Sequence, residues 1–108
     1  MTGKNKDHNC KTHVDGMSEF FKVMSDKTRL RILMELQNAS LCVMHISDRV
    51  GMSQSATSHQ LAILRRADLV RVKRQGRSLV YSLSDEHVRL MLDMASSHIN
   101  EGKTVCTL

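Results

Sequence analysis

The chain has 108 residues, a quarter of them Asp, Glu, Lys or Arg, and a formal net charge of +5 at neutral pH. That length suits one domain with one modest core, and the basic excess suits a polyanionic partner. No secretory leader is legible and no apolar run approaches a membrane span; with three cysteines, an odd number, this argues for a reducing cytoplasm, against a disulfide-stapled secreted protein.

Residues 1–13 are polar and read as a flexible tail. Met17, Phe20, Phe21 and Met24 then recur at i, i+3, i+4 and i+7, the period of an amphipathic helix. Ser25-Asp26 reads as the start of a second helix. Its inner stripe is Leu30, Leu33, Met34 and Gln37, widened by Ile32 and Leu36. Residues 38–41 read as a connection, and Val43 to Val50 as a short helix stopped by Gly51. Ser53 can cap a helix running to about Arg66. Between Val70 and Leu83 the period drops to two. Val70 and Val72, then Leu79, Tyr81 and Leu83, alternate with polar residues around Gln75-Gly76, which predicts a β-hairpin. A last helix is expected from about Asp85 to Asn100, ended by Gly102.

A short helix, a turn containing glycine and a second helix make a helix-turn-helix. On the second helix Thr57, Leu61 and Leu64 form the inward stripe. Ser55, Ser58 and His59 form an outward stripe, with Gln54 at the tip. Short polar side chains near a helix N-terminus suit base edges and phosphates of a major groove. The hairpin adds Arg71, Lys73, Arg74 and Arg77 around one loop, placed to meet backbone phosphate as a wing. The expected DNA-contacting set is Gln54, Ser55, Thr57, Ser58, His59, Lys73, Arg74 and Arg77. A solvated surface is the bland reading of each; their order in one basic chain favours double-stranded DNA.

The last helix carries a second signal. His87 and His98 are eleven residues apart, nearly a whole number of turns, so they share a face roughly 16 Å apart along the axis. One metal ion cannot bridge that gap with bonds of about 2.0–2.1 Å. If two copies ran antiparallel about a twofold axis, Asp85 and His87 of one would meet His98 and Glu101 of the other. That gives two interfacial sites per dimer, each of two imidazoles and two carboxylates. Met91 and Met94 complete an apolar stripe between the histidines, which pairing would bury. Nitrogen and oxygen ligands without thiolate suit Zn(II), and the affinity order leaves Co(II), Ni(II) and Cu(II) possible.

The segments Ser53-Gln54-Ser55-Ala56-Thr57-Ser58-His59-Gln60-Leu61, Arg74-Gln75-Gly76-Arg77-Ser78 and Tyr81-Ser82-Leu83 resemble the recognition helix and wing of the ArsR/SmtB metal-sensing repressors. Leu41-Cys42-Val43 resembles the start of their third helix. The resemblance spans about residues 15 to 101. It implies a mainly α winged helix-turn-helix with a β-hairpin, a homodimer through the first and last helices and no enzymatic activity. It implies an operator with an inverted repeat, held by the metal-free dimer and released on metal binding, so that efflux or sequestration genes are derepressed. Asp85, His87, His98 and Glu101 match the zinc-sensing variant residue by residue. The expected layout is tail 1–13, DNA-binding and dimerisation domain 14–102, and C-terminal tail 103–108.

A further set is Cys42 and His45, three apart at a helix start, with Cys10 and His13 at the same spacing in the tail. Two thiolates and two imidazoles could complete a tetrahedron for zinc or a softer ion, Cd(II) or Pb(II), or for Co(II). The resemblance supports such a site, although Met44 stands where thiolate-rich members carry another Cys and His45 where a carboxylate is common. His8 is a spare ligand, and Cys106 reads as a bystander. Two rival readings remain: sensing through this second set, and a DNA-binding protein whose zinc is purely structural. A zinc hydrolase would need an open coordination position and a substrate cleft, neither of which is legible here.

Overall fold

The computed structural model describes the backbone of residues 2–103 and the side chains of residues 13–101. In chain order the elements are α1 (Thr2–Ser25), α2 (Lys27–Asn38), β1 (Leu41–Cys42), α3 (Val43–Val50), α4 (Gln54–Arg66), β2 (Val70–Gln75), β3 (Ser78–Leu83) and α5 (Glu86–His98). α5 passes at Ile99 into a π-helical segment, Ile99–Lys103, so the helical path continues past Gly102, the residue expected to end it.

Local chemistry sets most boundaries. The Asp26 carboxylate accepts from the backbone N–H of Arg29, 3.0 Å away, and caps α2; the Ser53 hydroxyl accepts from Ala56 N–H, also at 3.0 Å, and caps α4. α3 ends where Gly51 turns left-handed (φ 72°) and its N–H bonds the Ser47 carbonyl. β2 and β3 pair antiparallel from Val70 opposite Leu83 to Gln75 opposite Ser78. The two-residue loop Gly76-Arg77 therefore closes the hairpin, with Gly76 at φ 62° in the position that needs positive φ.

The sheet holds one strand beyond the expected hairpin. Leu41 and Cys42 pair with Tyr81 and Val80, giving the order β1-β3-β2. Two residues are too few to show a period of two, which is why the sequence reads them as connection and helix start.

The core gathers Ile32, Leu33 and Leu36 of α2, Ile46 of α3, Leu61 and Leu64 of α4, Leu69 and Val70, and Val88 and Leu92 of α5. The phase of α2 corrects the expected stripe. Ile32 and Leu36 are central to the core, whereas Met34 is 43% exposed. On α1 Met24 is buried and Phe20 half-buried, while Val14, Met17 and Phe21 face outward.

Candidate DNA interface and metal ligands

α4 is fixed from beneath by Leu61 and Leu64, neither with any exposed surface. Thr57, expected to touch DNA, is also fully buried. Its hydroxyl donates to the Ser53 carbonyl at 2.9 Å, so it holds the first turn of α4 and presents nothing to a ligand. Gln54, Ser55, Ser58 and His59 are exposed together on the opposite face. Arg71, Lys73, Arg74 and Arg77 are exposed around the hairpin.

Charge is partitioned sharply. Between Gly51 and Ser84 stand six cations, Arg65, Arg66, Arg71, Lys73, Arg74 and Arg77, against one carboxylate, Asp68. Among the described residues the ion pairs lie elsewhere: Lys22 with Glu19, Arg49 with Glu35, Arg89 with Glu86, and His87 beside Asp85. The recognition helix and hairpin thus expose cations with no carboxylate partner, the arrangement a polyphosphate needs.

A residue overlooked in the sequence ties this face to the rest of the molecule. Arg29 donates through Nε to the Val23 carbonyl at the end of α1 (2.8 Å) and through Nη1 to Oε1 of Gln60 on α4 (3.1 Å). In the sequence it is one of three cations, Lys27, Arg29 and Arg31, in the first turns of α2, with nothing to mark it out from the other two.

The metal-ligand candidates of α5 lie at its two ends. Asp85 is the N-cap: Oδ1 accepts from the backbone N–H of His87 at 2.9 Å and of Val88 at 3.3 Å. The same oxygen is 3.5 Å from Nδ1 of His87, and both side chains are largely exposed. His98 and Glu101 line an open cleft with Asp93, Met94 and Ser97. Among the described residues no three His, Cys, Asp or Glu side chains of one protomer come together. Each end of α5 therefore carries two exposed groups of the kind Zn(II) takes.

Cys42 precedes α3 without capping it through its side chain, and its Sγ lies 3.4 Å from Nδ1 of His45. His13 is exposed on α1. Cys10 and His8 lie outside the described side chains, as does Cys106, and the expected tail 1–13 falls almost wholly there; α1 itself starts at Thr2.

Comparison with known proteins gives a consistent result. Residues 26–72 match the family of bacterial regulatory proteins, arsR family. The transcriptional repressor SmtB homolog of Synechocystis sp. is 41% identical over 80% of this chain, which spans 65% of that protein's length. The HTH-type transcriptional regulator NmtR of Mycobacterium tuberculosis is 47% identical over 75% of this chain and 70% of its own. The solution structure of apo-NmtR superposes with a TM-score of 0.77, covering 88% of this chain and 80% of that one at 38% identity. The homodimeric winged helix-turn-helix DNA-binding domain Mb0332 from Mycobacterium bovis matches in fold, with a TM-score of 0.77 at 23% identity over 88% of this chain and 92% of that one.

Proposed function

Because the chain belongs to the arsR family of bacterial regulatory proteins, we propose that it is a cytoplasmic metal-responsive transcriptional repressor, whose dimer holds an inverted-repeat operator when metal-free and releases it on binding Zn(II). The observation that carries this reading is the division of ligands on α5: two exposed groups at each end and no cluster within a protomer. An antiparallel pair of α5 helices joins the halves.

Asp85 and His87 of one protomer and the partner's His98 and Glu101 make each of two sites. When bound, Zn(II) supplies a tetrahedral tie among nitrogen and oxygen ligands. Asp85 can cap the helix and hold a metal at once, since Oδ1 caps the helix and Oδ2 has no partner among the described residues. The apolar surface between the sites supports pairing: Leu90 is 51% and Met94 70% exposed, while Met91, expected in that stripe, packs against the protomer's own core, and burying such a patch is favourable.

The two copies of α4 must fit successive major grooves, roughly 34 Å apart. α4 is held to α1 and α2 through Arg29 and the core, so a change in the angle between protomers alters that spacing. Metal and DNA then oppose each other by the same factor in both directions, on the usual scale of about 5- to 150-fold. The genes expected under its control encode metal efflux or sequestration.

The test is fluorescence anisotropy with a duplex that the protein selects from a random pool, in chelator and then with Zn(II). Affinity should fall within that range as two ions bind per dimer. Unchanged affinity with both sites filled rejects the coupling. His98→Ala should retain DNA affinity and lose release. A chelator-induced loss of helical circular dichroism would instead indicate a structural metal.

One observation favours a second site: the 3.4 Å approach of Cys42 Sγ to His45 Nδ1 supplies half a thiolate–imidazole set, completed by Cys10 and His13, for a softer ion such as Cd(II). Cys42→Ser should then abolish release by cadmium while leaving release by zinc intact.

A further inference from the structure

The cleft between α4 and β3 is lined by Ser58, Leu61, Ala62, Arg65, Arg66 and Tyr81. Ser58, Ala62 and Arg65 fall at i, i+4 and i+7, one stripe of the helix, and Leu61 closes the floor. Tyr81 comes from the central strand, flanked by Leu41 on one side and Val72 on the other, so its position is set by hydrogen-bonded ladders on both sides. The Ser58 hydroxyl, the Arg65 guanidinium and the Tyr81 hydroxyl have no hydrogen-bond or ion-pair partner among the described residues. Three donors without partners converge on one cleft whose middle residue on the helix is only a methyl group.

We infer that Ser58, Arg65 and Tyr81 form a seat for one DNA backbone phosphate per protomer, at the far edge of the groove that α4 enters. This rests on the DNA-binding reading above and adds the residues that fix the helix in register. Ser55 marks the end of α4 that meets bases. Arg65, ten residues on, lies about 15 Å further along the axis. The major groove is only about 12 Å wide, so the Arg65 backbone stands over the flanking strand; Ser58 lies about 10.5 Å nearer the N-terminus, and the two line one cleft because helical side chains lean toward that end. A guanidinium can grip a phosphate through two parallel hydrogen bonds, and the short Ala62 side chain lets the strand approach. Arg66 also borders the separate cleft toward α1, beside Gly16, Phe20 and Val23, which leaves Arg65 as the cation committed to the seat. The competing explanation is that Arg65 only complements the negative end of the α4 dipole. That account requires neither Ser58 nor Tyr81 and predicts no phosphate contact.

The salt dependence of binding separates the two. The metal-free dimer is titrated into the selected duplex and into a scrambled duplex of equal length, from about 50 to 200 mM salt. Arg65→Gln should weaken binding to both duplexes by the same factor. It should also reduce the slope of log affinity against log salt by about 1.8, or about 0.9 for each of two phosphates. Arg65→Lys, which keeps the charge, should keep the slope. Tyr81→Phe should weaken binding about 5-fold with the slope unchanged. An Arg65→Gln protein with the wild-type slope overturns the seat while leaving the DNA-binding reading intact. Failure of the unaltered protein to bind either duplex overturns that reading and the seat with it.

Discussion

Arg29 shows how one side chain can do several structural jobs. Its backbone N–H is capped by Asp26, its Nε bonds the last turn of α1, and its Nη1 reaches Gln60 on the recognition helix. Hydrogen bonds to a charged partner contribute about 1.5–3 kcal/mol where burial keeps water out. Arg29→Ala should therefore destabilise the fold by about that amount in a denaturant titration and weaken duplex binding as well. Gln60→Ala should reproduce part of the binding loss but little of the stability loss, and a double-mutant cycle would show the coupling. Asp85 has the same double character. Asn is nearly as good an N-cap as Asp, so Asp85→Asn should melt near wild type yet bind Zn(II) more weakly. Asp85→Ala should lose about 0.5–2 kcal/mol of stability as well. Calorimetry for metal and thermal melts for fold distinguish the two roles.

At the scale of elements, α4 is held by its buried face and its cap. Leu61→Ala should cost about 2–5 kcal/mol and Ser53→Ala about 1 kcal/mol, both read from urea midpoints. The helix boundaries were legible because caps and stops are local chemistry: Asp26, Gly51 and Ser53 each act where the chain places them. The hairpin was legible from its period of two and its glycine. The facing of α2 was less so. Ile32, Leu33, Met34 and Leu36 make an apolar run with more than one admissible stripe, and only contact with α3 and α4 selects Ile32, Leu33 and Leu36. β1 was illegible since its pairing with Tyr81 and Val80 is decided by residues some forty positions away. Thr57 fits the general rule that a hydroxyl within the inward stripe bonds the turn before it.

For the whole molecule, the outward parts of α1 and α5 carry the apolar surface on which the proposed dimer rests. Val14 is 65% and Phe21 50% exposed, and with Leu90 and Met94 they leave apolar surface on the outer faces of two helices. Met94→Glu should shift the protein to monomer in sedimentation velocity and lower both duplex affinity and zinc uptake, since each half-set of ligands would lose its complement. The spacing of His87 and His98 could suggest the proposed shared site from sequence because a helix has a fixed rise. The phosphate cleft could not be read the same way, because Tyr81 reaches Ser58 and Arg65 only through the sheet. β2 is one of the two outer strands of that sheet, joined to β3 on one side only. An outer strand offers its free amides and carbonyls to any other extended chain, and charged side chains are the usual guard against such pairing. Arg71, Lys73 and Arg74 stand along it, so the residues that attract a nucleic acid also keep neighbouring molecules from zipping together, and neutralising them would make the protein prone to clump even where no DNA is present.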